Sequence, residues 1–176
     1  MSTRVAAALL LLLATFAPTH SSDDLIDKIC KTTPFYEFCE ASLRPLSPEN
    51  ATSIAAAMAT VVLRNMTDTL GFIQSQIRRS RDPAAERALA ECAELYRPVV
   101  KFNIPQAIDA MRRGDLGFAV YVIGDAEKQA DACQKGFSAA GDDDDGSTAA
   151  LTARNKLLKD LCDLAIAVLK SLMKGG

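Results

Sequence analysis

The sequence contains no tryptophan and three tyrosines, and its single histidine is His20. His20 lies at or before the end of the signal peptide predicted below, so the secreted chain is expected to lack histidine. Ser-His-Asp and Cys-His catalysis both need an imidazole, and histidine is the usual zinc ligand. A glycosidase that uses two carboxylates needs no histidine, but the absence of tryptophan and the small number of tyrosines argue against an aromatic-lined sugar-binding cleft. We therefore expect no enzyme activity, no metal site and no cofactor.

The sequence also lacks an excess of charge of either sign, with 20 basic and 22 acidic residues. Nucleic-acid binding needs a basic stripe, and binding to anionic lipid needs a cationic helix face. Neither is present, so no nucleic-acid or membrane partner is expected. The motifs G-x-S-x-G, G-x-G-x-x-G and the P-loop are absent as well.

The longest apolar run is short and lies near the N-terminus, from Val5 to about Ala14. It follows Arg4 and precedes small and polar residues, which is the order of regions in a secretory signal peptide. A transmembrane span would need roughly 20 apolar residues. We predict that residues 1–21 are cleaved and that 22–176 form one secreted domain, with a net charge of about −3 once Arg4 is removed. In a secreted chain, disulfides are the default interpretation of cysteines.

Two triplets fit the acceptor motif for N-linked glycans in secreted proteins. They are Asn50-Ala51-Thr52 and Asn65-Met66-Thr67. Asn65 falls within a predicted helix, which makes Asn50 the better candidate for glycosylation.

Apolar residues recur at three- and four-residue steps along most of the chain, and strand-like alternation is absent. The first long helix is predicted to follow Ser47-Pro48, as N-cap and first residue, and to end near Ser80. Asp82-Pro83 starts a second helix, in which Pro98 and Pro105 predict a kink or break near 97–105. This helix resumes over Gln106–Arg113 and stops at Gly114, where Asp115 caps the next one. The last helix is predicted from about Thr148 to Met173.

Four long amphipathic helices with short connections predict an all-α protein, an antiparallel up-down-up-down four-helix bundle over 47–174. Residues 22–46 precede it as a helical hairpin, with helices from Leu25 to about Lys31 and from Pro34 to about Leu43. Thr33 is the predicted cap of the second short helix. These helices are too short to supply much core, so the bundle is expected to fold without the hairpin. The run Asp142–Asp145 is predicted to be a solvated loop, since its spacing does not fit a calcium-binding EF-hand.

Five cysteines remain to be paired. Cys30 and Cys39 lie in the two short helices, so a bridge between them would close the hairpin. Cys92 lies about 33 Å before Gly114 and Cys133 about 29 Å after it, at 1.5 Å of rise per residue. The two residues would therefore lie at nearly the same level of an antiparallel hairpin. Cys162 falls on the apolar face of the last helix and is predicted to be a buried free thiol, although spacing alone does not exclude other pairings.

These features together resemble the plant invertase and pectin methylesterase inhibitor family. The resemblance covers nearly the whole secreted chain and rests on the following residues: Cys30-Lys31-Thr32-Thr33-Pro34 with Tyr36 and Cys39; Glu91-Cys92 with Leu95-Tyr96; Gly114-Asp115; Ala126 and Cys133; Leu151-Thr152 and Arg154-Asn155. It implies a secreted, monomeric inhibitor of the apoplast, cell wall or vacuole that binds a target hydrolase 1:1.

The resemblance implies one of two targets, acid invertase or pectin methylesterase. Invertase-directed members often carry Pro-Lys-Phe after the Gly-Asp of the turn, where it enters the sugar pocket of the enzyme. This sequence has Leu116-Gly117-Phe118 and keeps only the phenylalanine. The segment CKTTPFYEFC resembles the invertase-directed set, whereas a fifth cysteine such as Cys162 occurs among pectin methylesterase inhibitors. The balance favours acid invertase.

The predicted contact with the target is the turn at Arg113, Asp115, Leu116 and Phe118. Phe118 either points outward as an anchor or packs under the helix end as core. A secreted binding module without inhibitory action, such as a lipid or signal carrier, is a third hypothesis beside the two inhibitor assignments.

Overall fold

The computed structural model describes residues 20–139 and 147–175, and within these ranges every regular element is helical. The predicted all-α class is confirmed. Most of the predicted signal peptide and the Asp142–Asp145 run lie outside the described residues. The α-helices are α1 (His20–Cys30), α2 (Tyr36–Leu43), α3 (Ala51–Ile77), α4 (Pro83–Pro98), α5 (Ile104–Arg112), α6 (Leu116–Ala139) and α7 (Ser147–Lys174).

The helices share a single hydrophobic core. Helix α3 packs against α4, α5 and α7, while α6 packs against α4, α5 and α7 on its own side. The short helices also contribute, since α1 contacts α7 and α2 contacts α3. Their apolar residues join the same buried cluster as those of the long helices.

The start of α3 differs from the sequence prediction. Ser47 does not cap this helix but ends a short 3₁₀ turn over Arg44–Leu46, in the left-handed region with φ of 44°. The N-cap is Asn50, whose Oδ1 accepts a hydrogen bond from the Ser53 amide at 2.8 Å. The Ser53 hydroxyl in turn accepts one from the Asn50 amide at 2.9 Å. This reciprocal capping box satisfies two amides that would otherwise lack partners, which fixes the start of the helix three residues later than predicted.

The start of α2 was also predicted too early. Thr33 does not cap this helix; its hydroxyl donates to the Cys30 carbonyl at 2.9 Å and accepts from the Phe35 amide at 3.3 Å. These bonds hold the turn between α1 and α2. Phe35 takes the N-cap position without a side-chain cap.

The two prolines flank a change of helix type. Pro98 is the last residue of α4, and a π-helical segment over Val99–Asn103 leads directly into α5. The amide of Ile104 bonds to the Val99 carbonyl, one residue further back than in an α-helix. The irregularity lies in the region 97–105 where a kink or break is predicted, and it takes the form of a wider turn, because proline lacks an amide and crowds the preceding turn.

The hairpin is part of the core, contrary to the expectation from its length. The structure joins Cys30 to Cys39, with 5.5 Å between their Cα atoms. Both cysteines are fully buried, as is Leu43, and Ile26 is 1% exposed. Four buried side chains are more than an accessory segment would supply, so we no longer expect the bundle to fold independently of residues 22–46.

A second set of contacts ties α4, α6 and α7 together. The structure joins Cys92 of α4 to Cys133 of α6, with 4.7 Å between their Cα atoms. One turn further along α4, the buried Tyr96 hydroxyl donates to Asn155 Oδ1 of α7 at 2.5 Å. Asn155 Nδ2 then donates to Gln134 Oε1 of α6 at 3.0 Å. A covalent bond and a buried polar network therefore link three long helices at the same level.

Cys162 is a free, fully buried thiol on α7. Burial raises its pKa, and the negative charges of Glu127 and Asp163 act in the same direction. Burial also raises the pKa of the Tyr96 hydroxyl, with a smaller contribution from Cys162. Both groups are therefore held neutral over a wide range of pH.

We expect loss of the Cys92–Cys133 bridge to destabilise the protein more than loss of the Cys30–Cys39 bridge. In the chain-entropy model the longer loop contributes about 4 kcal/mol and the shorter about 2.7 kcal/mol. Thermal melts of the Cys92→Ser/Cys133→Ser and Cys30→Ser/Cys39→Ser proteins measure this difference. All four cysteines are buried in the core, so a larger loss from the Cys30→Ser/Cys39→Ser protein would contradict the loop-closure account.

The free thiol and Tyr96 predict a loss of stability in alkaline solution. Both pKa values are raised in the folded state, so the stabilisation is complete below pH 9.0, the ordinary pKa of the thiol. It declines as the pH rises above that value, because the unfolded chain ionises first. Native protein should not react with a thiol reagent at pH 8, whereas protein in guanidinium should react at one site. The Cys162→Ala variant should lose less stability between pH 9 and 11 than the wild type.

Candidate functional site

The turn between α5 and α6 is built from a helix stop followed at once by a helix start. Gly114 adopts a φ of 84°, which side chains disfavour and glycine tolerates. Its amide bonds to the Met111 carbonyl at 2.9 Å, and the Asp115 amide bonds to the Ala110 carbonyl at 2.9 Å. This pair of bonds is a Schellman motif, which ends α5 with its last carbonyls satisfied.

Asp115 lies between α5 and α6 and hydrogen-bonds to both. Its backbone amide closes the Schellman motif, while its Oδ1 accepts a hydrogen bond from the Phe118 amide at 3.0 Å. The predicted roles of Gly114 as stop and Asp115 as cap are both confirmed. The amides of Arg113, Gly114, Asp115, Leu116 and Phe118 are thus hydrogen-bonded, which restrains the backbone of the turn before any partner binds.

The four predicted contact residues lie together on this turn. Arg113 and Asp115 are exposed, and Leu116 is half-buried. Phe118 is 40% exposed, so its ring neither stands free nor joins the core. An aromatic side chain that is partly supported by the protein and partly open is suited to contact another surface.

Tyr121 was missed by the sequence analysis and is the most exposed large apolar residue of the described ranges, at 71%. It lies three residues after Phe118 on α6, so both project from the same face of the helix. The signal was present in the sequence, because Tyr121 falls off the buried stripe of Ala119, Ile123 and Ala126. Phe118 and Tyr121 together are called the aromatic pair below.

A further exposed aromatic residue lies away from the turn. Phe102 is 50% exposed on the π-helical segment, and the Lys101 ammonium lies 5.0 Å from the centroid of its ring. Eleven residues separate Phe102 from Arg113, or about 16 Å along the axis of α5. It is therefore a comparison residue for the aromatic pair and not a member of it.

The two predicted glycosylation sites occupy different environments. Asn50 is exposed at the start of α3, where its side chain caps the helix. Asn65 is half-buried in the middle of α3, and its Nδ2 donates to the Val61 carbonyl at 2.9 Å.

The chemistry available at the turn is that of binding. In the described ranges no three His, Cys, Asp or Glu side chains are grouped closely enough to hold a metal ion. No helix within those ranges is long and apolar enough to cross a membrane. What the turn offers is a fixed backbone, two exposed charges and the aromatic pair.

Comparison with protein families finds a match over residues 24–168 to the family described as plant invertase/pectin methylesterase inhibitor. Among curated proteins, cell wall/vacuolar inhibitor of fructosidase 1 of Arabidopsis thaliana is 26% identical over 155 residues, which are 86% of this chain and 70% of that protein. The inhibitor of fructosidase 2 is 33% identical over 76 residues, which are 41% of this chain and 42% of that protein.

Solved structures agree on the fold. A mutant form of a pectin methylesterase inhibitor from Arabidopsis aligns with a TM-score of 0.67 at 23% identity, over 82% of this chain and 95% of that one. A second pectin methylesterase inhibitor, from Arabidopsis thaliana, aligns with a TM-score of 0.61 at 22% identity, over 84% and 95% of the two chains. With residues 24–168 matched, the chain belongs to the plant invertase/pectin methylesterase inhibitor family and is an inhibitor of enzymes, not an enzyme.

Proposed function

We propose that this protein inhibits acid invertase by inserting the turn at Arg113–Phe118 into the active-site cleft of the enzyme. The observation that carries the proposal is the turn itself, with both helix ends restrained and the aromatic pair exposed beside it. A rigid surface loses little conformational entropy on binding, so an interface of ordinary size can be tight. The names of the two curated relatives, both inhibitors of fructosidase, support the choice of target.

Pectin methylesterase is the second candidate target, and one feature of the turn favours it. Gly117 stands where invertase-directed members often carry a lysine, so the cation expected in a sugar pocket is missing. Cys162 also matches the pectin methylesterase inhibitors. The two solved structures are of inhibitors of that enzyme, but at 22–23% identity they support only the assignment of the fold.

The inhibitor is proposed to act as a monomer in which the long helices form an antiparallel bundle. Contacts between α6 and α7 support this arrangement, because Gln134 meets Thr152 near one end while Glu127 pairs with Lys159 further along. We further propose 1:1 binding to the target, and residence in the cell wall or vacuole after cleavage of residues 1–21. The relatives' names support that location.

Titration of the secreted protein against purified acid invertase and purified pectin methylesterase tests the proposal. Inhibition of invertase alone supports it, whereas inhibition of pectin methylesterase alone selects the second target. If neither enzyme is inhibited, the hypothesis of a secreted binding module without inhibitory action replaces both. Incubation of the protein itself with sucrose and with pectin provides the control for contaminating hydrolase.

We expect Phe118→Ala to weaken inhibition at least about thirtyfold without lowering the melting temperature by more than a few degrees. Truncation of an aromatic anchor typically costs 2 kcal/mol or more of binding free energy, at tenfold per 1.4 kcal/mol. Phe102→Ala is the matched control, because it removes the same side chain at similar exposure from another surface. A variant that keeps its inhibition but melts early would show that Phe118 acts as core and that the turn is not the inserted element.

We also expect Gly117→Lys to strengthen inhibition of invertase about tenfold, the effect of one charged hydrogen bond of roughly 1.5 kcal/mol. The site accepts a side chain, since an added Cβ would meet only Asp115 Oδ1, at an ordinary 3.8 Å. Gly117→Gln controls for the added length without the charge. Equal inhibition constants for the lysine and glutamine variants would exclude a role for a cation at this position.

A further inference from the structure

We propose that the protein carries one N-linked glycan, on Asn50, and that this glycan covers the α3 side of the turn so that the target docks over the α6 side. Glycosylation of Asn50 is independent of the proposed function. Docking of the target over the α6 side rests on the proposed inhibitory function. In the modification, Asn50 Nδ2 bonds to the anomeric carbon of an oligosaccharide, the bond from that carbon to a lipid diphosphate breaks, the amide loses one proton, and the lipid diphosphate leaves.

Asn50 presents its amide nitrogen to solvent. The backbone is extended, with φ of −152° and ψ of 173°, and the capping interaction uses only the oxygen of the side chain. Nδ2 makes no hydrogen bond within the described ranges. A sugar on this nitrogen therefore leaves the capping box intact, and the start of α3 is compatible with the modification.

Asn65 is unsuited to carry a glycan in the folded protein. Its Nδ2 is engaged by the Val61 carbonyl, and the residue lines a crevice between α3, α2 and α7. Phe38 of α2 and Leu157 of α7 line the same crevice. An oligosaccharide on Asn65 would have to displace this hydrogen bond and fit into the crevice, so Asn65 is the poorer acceptor.

The position of Asn50 relative to the turn gives the glycan a consequence for binding. Asn50 lines an open groove of about 730 Å³ along the start of α3, and Arg112 lines the same groove. Arg112 is the last residue of α5, directly before the turn. The groove thus flanks the turn on the α3 side, while the aromatic pair lies on α6, so the two sides of the turn are distinct surfaces.

Intact mass and peptide mapping of the full chain secreted from plant cells test the glycosylation of Asn50. Thr52→Ala removes the acceptor motif, and Thr52→Ser preserves it; Thr52 is exposed and its side chain makes no hydrogen bond within the described ranges. We expect one glycan on the wild type, on Thr52→Ser and on Thr67→Ala, and none on Thr52→Ala. An unmodified wild type, a second glycan that Thr67→Ala removes, or a glycan that survives Thr52→Ala would each overturn the assignment.

Inhibition constants of the same proteins test the docking side, against whichever hydrolase the wild type inhibits. We expect Thr52→Ala to inhibit within about twofold of the glycosylated wild type, because the glycan lies off the contact face. Thr60→Arg, which adds bulk within the groove, should also stay within about twofold, while Tyr121→Ala should weaken inhibition about tenfold or more.

Strong effects from Thr60→Arg or from loss of the glycan, or inhibition that survives Tyr121→Ala, would overturn the docking side. Absence of any inhibition by any of these proteins would overturn the proposed function and the docking side with it. The mass measurements would still decide the glycan on their own.

Discussion

The disulfide between Cys92 and Cys133 is the constraint on which the position of the turn between α5 and α6 depends. It joins the two helical arms that lead into and out of the turn, α4–α5 on one side and α6 on the other. The Tyr96–Asn155–Gln134 hydrogen bonds add α7 at nearly the same level. The disulfide fixes the spacing of the two arms, and Gly114 and Asp115 restrain the backbone between them. The exposed residues of the turn would therefore lose little conformational entropy on binding a partner.

This constraint explains why the irregular part of the α4–α5 arm matters. Two prolines in one helical arm would normally kink or break it. Here the π-helical segment over Val99–Asn103 provides a wider turn, so the arm continues as helix and α5 packs on α6. The cost is local, because the same segment exposes Phe102.

Sequence reasoning succeeded where one residue's chemistry decides the outcome and failed where two residues had to cooperate. Gly114 and Asp115 were assigned correctly because a left-handed stop and a carboxylate cap are each a property of one residue. The cap of α3 was misplaced because Ser47-Pro48 is the stronger local signal, whereas Asn50 and Ser53 prevail through reciprocal bonds that neither residue reveals alone. The hairpin was undervalued for a similar reason, since the burial of Ile26 and Leu43 depends on α3 and α7.

The residues that determine the fold differ from the exposed residues that are proposed to determine the target. The buried core and the two bridges hold the helices of this chain together, and solved structures at 22–23% identity share its fold. Choice of enzyme is then left to side chains that the scaffold does not need. A Cβ added at Gly117 would meet only Asp115 Oδ1, and most of the Tyr121 side chain is exposed. Such positions can change at little cost to folding, so substitutions there would alter what the proposed contact surface binds while the scaffold stays the same.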